Sequence, residues 1–209
     1  MLRNFFADIL DIILPPRPTE RVVSSLNPDI LQSLGGEEPL PYHDPRVTAL
    51  VWELKYHSTR RSSELAGAYL SEILLAAASE ELGVPLLVPV PMHAARRRER
   101  GHNQTELLCK AALFALRSSQ SEVGPVLEYA PKVLVRTIHT KTQQGLPRAE
   151  RLKNIKNSMT SGPDAEKIKG RVCIVVDDVT TTGATLAEAK RALRVAGARA
   201  VHCIALARS

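Results

Sequence analysis

The hydrophobic pattern is strongest from Val172 to Val176, where apolar residues follow one another without a polar interruption. Such a run is typical of a strand buried on both faces, as in a parallel sheet, and we predict a central strand over 171–178. Shorter apolar runs at 86–90, 133–135 and 200–206 predict further strands. Helical patterns separate these runs, so the sequence predicts an α/β fold with a parallel sheet flanked by helices.

Apolar residues recur at helical spacing in segments 42–55, 62–82, 103–116 and 185–196. The start of the third segment is marked by Asn103 and, three residues later, Glu106, a spacing typical of a capping box. We therefore predict a helix in each segment. Together with the strands they form one domain that covers residues 42–209.

The first 41 residues form a separate small segment. An apolar face within 1–14 predicts a short docking helix, and Asp8 and Asp11 on its polar side argue against a signal peptide or a membrane span. An interfacial membrane helix is the less favoured alternative, because its polar face would be basic. Residues 17–41 contain prolines and glycines with little periodicity, which predicts a linker or an irregular module.

Composition narrows the class of protein. The 209 residues carry a net charge of +6, which indicates anionic partners such as phosphates or nucleic acid, although a merely basic surface fits equally well. Aromatic residues make up only 4%, which argues against a platform that stacks nucleobases. Cys109, Cys173 and Cys203 form no CxxC pair, so we predict that all three are thiols in the core. We expect neither a disulfide framework nor a zinc site, and we expect a cytoplasmic protein.

The residues best suited to bind a ligand lie where the predicted central strand ends. Asp177 and Asp178 are followed by small residues up to Thr185, at the strand end where α/β sheets bind ligands. Backbone N–H groups of a tight loop and a helix N-terminus favour a phosphate, and adjacent carboxylates bind vicinal hydroxyls or a hydrated Mg²⁺. The residues therefore predict a sugar-phosphate site. An ordinary turn and helix cap uses the same residue types, and a nucleoside-triphosphate loop is disfavoured because its lysine is missing.

The stretch VCIVVDDVTTTGAT resembles the motif with which type I phosphoribosyltransferases bind 5-phosphoribosyl 1-pyrophosphate (PRPP). The resemblance implies that Asp177 and Asp178 orient the ribose as catalytic residues and hold Mg²⁺ indirectly. It also implies that the ribose phosphate binds to the residues that follow, namely Val179, Thr180, Thr181, Thr182, Gly183, Ala184 and Thr185.

Three further segments resemble the ComF family, so that the resemblance covers about 42–209. They are Leu50–Lys55, Val88–Gln104 with its Val-Pro-Val-Pro strand end and Arg-Gly step, and Arg136–Asn154 with the family spacing of Arg136, Thr140, Gln143, Leu146, Arg151 and Asn154. His102 stands where the family usually has an aromatic residue. Family members commonly carry a CxxC…CxxC zinc module near the N-terminus, whereas residues 17–41 contain no cysteine, so no zinc is expected.

Basic residues complete the expected PRPP site. Arg96 and Arg100 follow a strand end and are candidates to contact pyrophosphate or a nucleic-acid backbone, with Arg100 preferred because it lies in the Arg-Gly step. Lys55 is a candidate phosphate contact. Lys141, Gln143 and Arg151 lie in a long polar loop that we expect to close over bound PRPP. For each cationic residue a solvated surface charge is the ordinary alternative.

The leading interpretation is a phosphoribosyltransferase that uses PRPP and Mg²⁺. The alternative is a non-catalytic protein that senses PRPP or binds single-stranded DNA, since ComF relatives are linked with natural competence. A scaffold without ligand is the third and weakest interpretation, because the acidic pair and the phosphate loop are intact. The expected partners are PRPP or a related phosphoribosyl ligand, single-stranded DNA, proteins of DNA uptake and a second copy of the chain, without membrane insertion.

Overall fold

The computed structural model describes residues 17–36, 39–119, 126–138 and 156–209. The helix expected at 1–14 and the loop residues Lys141, Gln143 and Arg151 lie outside these ranges. Within the described ranges, none of the helices has the length and apolar character needed to span a bilayer.

The strands are β1 (Leu40–Pro41), β2 (Leu86–Pro89), β3 (Glu128–Tyr129), β4 (Leu134–Arg136), β5 (Met159–Ser161), β6 (Val172–Thr180) and β7 (Ala200–Arg208). The α-helices are α1 (Pro18–Ser24), α2 (Pro28–Gly35), α3 (Pro45–Tyr56), α4 (Arg60–Ser79), α5 (Ala94–Arg100), α6 (Gln104–Ser119) and α7 (Ala184–Val195), and a 3₁₀ helix covers Ala165–Ile168. Within the described residues, the helices and strands predicted from the sequence are present, with small differences at their ends.

Five strands form one sheet in the order β1-β7-β6-β2-β3, and every neighbouring pair is parallel. The predicted parallel α/β fold is thereby confirmed. β6 lies at the centre, and its alternate side chains enter two separate cores: Ile174 packs with α3, α4 and α6, whereas Val175 packs with α7. Because each fully buried aliphatic side chain stabilises the fold by about 1.5–3 kcal/mol, both faces of β6 require apolar residues.

The strand predicted at 133–135 forms as β4, but it lies outside the parallel sheet. It pairs antiparallel with β5, with Val135 opposite Thr160. Leu134 and Met159 pack into the core beneath α7. An apolar run therefore predicted the strand correctly but not the partner with which it pairs.

Residues 17–41 are more regular than the sequence predicted. Helices α1 and α2 each have proline in the first turn, where its missing N–H costs no hydrogen bond. Their apolar side chains enter the core formed with α3 and α4. The fully buried carboxylate of Glu53 on α3 accepts hydrogen bonds from Arg17 Nη2 (3.2 Å) and Thr19 Oγ1 (2.6 Å), which fastens this segment to the main domain.

The prediction that all three cysteines are core residues is wrong for Cys203. Cys109 and Cys173 are buried, whereas Cys203 is exposed although it lies within β7. β1 pairs only with the last two residues of β7, so that β7 is an edge strand at Cys203. An apolar run cannot show which of its residues lies at an uncovered edge.

Candidate active site

The acidic pair faces an open edge of the sheet. β2 ends at Pro89, opposite Val176, whereas β6 continues beside β7 as far as Thr180. Asp177 and Asp178 thus lie within β6 rather than at its end, which corrects the predicted strand boundary. Beyond Pro89 the neighbouring strand is missing, and a cleft opens there with Asp177 in its wall. This is the position at which α/β sheets bind ligands.

The two carboxylates are buried, with 7% of Asp177 and 6% of Asp178 exposed. The backbone N–H of Asp178 donates to Asp177 Oδ1 (2.9 Å), and the N–H of Val179 donates to Asp178 Oδ1 (2.8 Å). Burial, reinforced by the adjacent charge of Asp178, raises the pKa of Asp177 well above its usual value. A cation or hydroxyl donors that enter the cleft would favour the charged form of Asp177.

Lys55 and Gln104 converge on the second carboxylate. Lys55 Nζ lies 3.3 Å from Asp178 Oδ2, and Gln104 Nε2 donates to the same oxygen at 3.2 Å. Lys55 is the last-turn lysine of α3, and Gln104 is the first residue of α6. The structure therefore brings the predicted Lys55 to the acidic pair, whereas the sequence analysis named Gln104 only as part of a family-like segment and not as a site residue.

The expected phosphate loop leads from β6 into α7. Val179 and Thr180 still belong to β6, so that only residues 181–183 connect the two elements. Gly183 adopts the left-handed conformation (φ 75°) that favours glycine and precedes the first residue of α7. Thr182 Oγ1 accepts a weak hydrogen bond from the N–H of Ala184 (3.4 Å), and Thr185 lines the cleft. The helix N-terminus beside the cleft favours an anion.

The basic loop predicted after β2 contains a short helix, α5, whose arginines have different surroundings. Arg96 lines the cleft. Arg97 makes a two-pronged ion pair with Glu106 (2.9 and 3.2 Å), and Arg98 is exposed. Arg100 donates to Gln104 Oε1 at 3.4 Å and lies over the ring of Tyr56, 5.1 Å from its centroid. Of these arginines, Arg96 and Arg100 are therefore the ones near the acidic pair.

Arg136 is a cleft residue that the sequence analysis named only for its family spacing. It ends β4, lines the cleft with Asp177 and Arg96, and its buried Nε has no hydrogen-bond partner among the described residues. Burial lowers the pKa of Arg136, and Asp177 opposes that effect. A partly buried guanidinium with an unpaired Nε suits an anionic ligand. Its position directly after an apolar run was the available signal.

The described residues contain no cluster of three or more His, Cys, Asp or Glu side chains that would enclose a metal ion. Two carboxylates are nevertheless enough for Mg²⁺, which is commonly held by one or two carboxylates, waters and substrate phosphates. Asp177 and Asp178 fit that manner of binding.

Comparison with known proteins agrees with this geometry. Residues 110–209 match the model of the phosphoribosyl transferase domain family. The chain is 33% identical over 171 residues to the DNA utilization protein YhgH of Salmonella typhi, covering 80% of this chain and 69% of the relative. It is 32% identical over 123 residues to competence protein F of Haemophilus influenzae, covering 59% of this chain and 50% of the relative.

Solved structures with similar folds include hypoxanthine phosphoribosyl transferase of Trypanosoma cruzi, with 11% identity, a TM-score of 0.42, and coverage of 68% of this chain and 63% of the other. They also include the glutamine PRPP amidotransferase of B. subtilis, with 18% identity, a TM-score of 0.41, and coverage of 75% and 30%. The identity and coverage of the sequence relatives, together with the matched domain, show that the chain belongs to the ComF family of proteins with a phosphoribosyltransferase domain.

Proposed function

We propose that the protein binds PRPP with Mg²⁺ at the Asp177–Asp178 cleft and transfers its phosphoribosyl group to an acceptor. The observation that carries the proposal is the buried pair itself: two adjacent carboxylates, at the rim of a parallel sheet, with Lys55 and Gln104 gathered on one oxygen. Burial beside a second carboxylate makes the charged form of Asp177 costly unless a ligand neutralises it, so the pair supports a binding role.

The charges around the cleft suit the two ends of PRPP. The N-terminus of α7, with residues 181–185, takes the ribose phosphate. Arg96 and Arg136 line the cleft and take the pyrophosphate, to which a guanidinium donates in bidentate fashion. Asp177, which lines the same cleft, and its neighbour Asp178 accept hydrogen bonds from the ribose hydroxyls. Arg100 adds positive charge through its contact with Gln104.

In the reaction, the bond between the anomeric carbon and the pyrophosphate oxygen breaks, and a nucleophilic atom of the acceptor forms the new bond to that carbon. Mg²⁺, when bound, neutralises charge on the leaving pyrophosphate. The chain orients the ribose through Asp177 and Asp178, whose negative charge stabilises the cationic ribosyl centre, and retains pyrophosphate through Arg96 and Arg136. The loop residues Lys141, Gln143 and Arg151 are proposed to shield the reacting groups from water.

The second candidate is a PRPP sensor that performs no transfer. The described residues that line the cleft include no Phe, Tyr or Trp against which an acceptor ring would stack, and this observation favours binding alone. Either activity would serve a cytoplasmic protein that takes part in natural competence, as the names of the relatives suggest for those proteins. Single-stranded DNA, proteins of DNA uptake and a second copy of the chain are the partners we propose for that role.

The test is a calorimetric titration of the full chain with PRPP and Mg²⁺, beside the Asp177→Asn/Asp178→Asn double variant. We expect saturable binding that the double variant loses while it remains folded. Absence of binding to the folded wild-type protein would contradict the proposal. Release of pyrophosphate in the presence of nucleobases then separates the two candidates, because a sensor binds PRPP without releasing pyrophosphate.

A further inference from the structure

Trp52 and Tyr56 form an exposed aromatic pair on α3. Their ring centroids lie 4.4 Å apart, with an angle of 42° between the ring planes. Trp52 is 48% exposed and Tyr56 is 47% exposed, although both side chains are large and apolar. Two adjoining aromatic side chains that the core leaves outside are typical of a surface that another segment or molecule covers.

Helix α1 borders this aromatic pair. At 3.6 residues per turn, Tyr56, Ala49 and Glu53 follow Trp52 around α3 at about 40°, 60° and 100°, all on the same side. Ala49 and Glu53 are buried, because α1 packs against that side of α3. The covered surface of α3 therefore ends where the aromatic pair begins.

The chain enters α1 at this border. The described part of the chain begins at Arg17, whose Nη2 donates to Glu53 Oε2 at 3.2 Å and whose Nε donates to Glu53 Oε1 at 3.4 Å. Glu53 directly follows Trp52 in the sequence and shares a helix face with Tyr56, three residues later. Residues 1–16 are thus attached to the fold beside the exposed rings.

The sequence of this N-terminal segment matches an apolar surface. The helix predicted for residues 1–14 has one apolar face, formed by Leu2, Phe5, Ile9, Ile12 and Ile13. Pro15 and Pro16 end the helical pattern, because a residue that precedes proline is disfavoured in the α conformation. From Leu14 to Arg17 the chain spans at most about 10 Å. A single helix of this length is marginal in water unless its apolar face packs against a partner.

We propose that residues 1–14 fold back as a helix whose apolar face covers Trp52 and Tyr56 of the same chain. The attachment at Arg17 places the segment next to this surface. A short connection holds a segment near its site at an effective concentration in roughly the millimolar range. A second copy of the chain at micromolar concentration therefore competes poorly for the same rings. The inference concerns the N-terminal segment and does not rest on the binding of PRPP.

The contact would fix the position of α3. The Arg17–Glu53 ion pair already holds one side of this helix, and the docked segment holds the neighbouring side. Lys55, in the last turn of α3, lies 3.3 Å from Asp178. The N-terminal segment thus stabilises the helix that brings Lys55 to the acidic pair.

Trp52 reports on the contact directly, because it is the only tryptophan of the chain. Its emission maximum and its quenching by acrylamide are measured in the full chain and in Ile9→Asp, which places a charge on the apolar face. We expect Trp52 to be protected in the wild-type protein. Ile9→Asp should shift its emission to longer wavelength, increase quenching and lower the melting temperature by roughly 3–10 °C, as expected when an apolar side chain loses a buried contact.

Asn4→Asp is the matched control, because it adds the same side chain about 140° around the predicted helix from Ile9. It should change neither the quenching nor the melting temperature. The double variant Ile9→Asp/Trp52→Ala tests whether the two residues meet, since the losses of melting temperature from two contacting residues do not add. A cooperative melting transition shows that each variant is folded.

Equal quenching of Trp52 in the wild-type protein and in Ile9→Asp would overturn the proposal. Additive losses in the double variant, or equal effects of Asn4→Asp and Ile9→Asp, would overturn it as well. Protection of Trp52 that increases with protein concentration would assign the aromatic pair to a second copy of the chain and would exclude coverage by residues 1–14 of the same chain.

Discussion

Glu188 and Asp177 are both buried carboxylates, with 5% and 7% exposed, but their partners differ. Glu188, on α7, accepts hydrogen bonds from Arg191 Nε (2.8 Å) and Nη2 (2.9 Å) and from the backbone N–H of Met159 (3.1 Å). Asp177 accepts one backbone N–H, and its nearest charged neighbour along the strand is another acid. Glu188 therefore accepts hydrogen bonds from an arginine and a backbone N–H, whereas Asp177 accepts only a backbone N–H among the described residues.

The pKa values of the two groups shift in opposite directions. Burial raises the pKa of Glu188, but hydrogen bonds from Arg191 and from backbone N–H groups more than offset that effect, so that the pKa lies below its usual value. Burial and the charge of Asp178 raise the pKa of Asp177. Glu188 thus stabilises the fold by fixing β5 to α7, whereas ionised Asp177 destabilises it. The contrast supports our proposal that Asp177 is a functional group rather than a structural one.

Asp177→Asn should have the largest effect on binding. The amide oxygen can still accept the N–H of Asp178, but the charge that binds Mg²⁺ and ribose hydroxyls is lost. We expect PRPP affinity to fall on the order of 100-fold, as for loss of charge-assisted hydrogen bonds worth about 3 kcal/mol. The melting temperature of the free protein should rise by a few degrees, because the repulsion between buried charges is removed.

The pH dependence of this variant follows from the raised pKa. A carboxyl whose folded pKa exceeds its unfolded value near 3.8 costs stability increasingly as pH rises towards the folded value. The stability advantage of Asp177→Asn should therefore grow with pH above about 4, as measured by chemical denaturation. A stability difference between Asp177→Asn and wild type that does not change with pH would contradict the raised pKa of Asp177.

Glu188→Ala should have the opposite consequence. It leaves the Met159 N–H and Arg191 without their carboxylate, which should lower the free energy of unfolding by about 2 kcal/mol and the melting temperature by roughly 4–8 °C. Because the folded pKa of Glu188 is lowered, its contribution is present above pH 4.5 and is lost as pH falls through the folded pKa. The folded fraction should keep its PRPP affinity. A loss of affinity as large as that of Asp177→Asn would contradict the view that Glu188 is structural and Asp177 binds the ligand.

Arg136→Gln extends the comparison to a partly buried cation. The Nε of Arg136 has no partner within the described part of the chain, so the unliganded fold should tolerate the change with little loss of stability. PRPP affinity should fall roughly 10- to 100-fold, as expected for loss of a charge-assisted contact. Calorimetry and a melting curve on the same sample provide the two readouts.

Two arginines of α5 provide a pair of matched variants in which we expect a smaller loss of PRPP affinity. Arg96 lines the cleft, whereas Arg98, two residues along the same helix, is exposed. Arg96→Gln should weaken PRPP binding about tenfold, and Arg98→Gln should change it less than about twofold, since a fully solvated charge is screened by salt. Equal losses in both variants would indicate a general effect of net charge rather than a specific contact.

The sequence predicted the parts of this structure that depend on neighbouring residues. The run at 172–176 predicted a strand buried on both faces, and the two cores on either side of β6 explain why it succeeded. The acidic pair and the glycine before α7 were likewise visible as a local motif. These features could be predicted because they depend on residues that are neighbours in the sequence.

Features that depend on distant contacts were not predictable in the same way. No local pattern shows that β4 pairs with β5 outside the sheet, or that Arg136 then lines a cleft with Arg96. The contact between Trp52 and Tyr56 could have been predicted, because residues four apart share a helix face, but their exposure could not. Lys55 was found through its family resemblance, and its contact with Asp178 required the packing of α3 against the sheet.

The central claim is that the buried Asp177–Asp178 pair is the site at which PRPP and Mg²⁺ bind. It is tested most directly by carboxyl ¹³C NMR of aspartate-labelled protein, with the Asp177 signal assigned from Asp177→Asn. We predict that this carboxyl titrates well above its usual pKa of 3.8 in the free protein and that PRPP with Mg²⁺ lowers its pKa. A carboxyl that titrates near its usual pKa, or one whose signal does not respond to PRPP and Mg²⁺, would contradict the account.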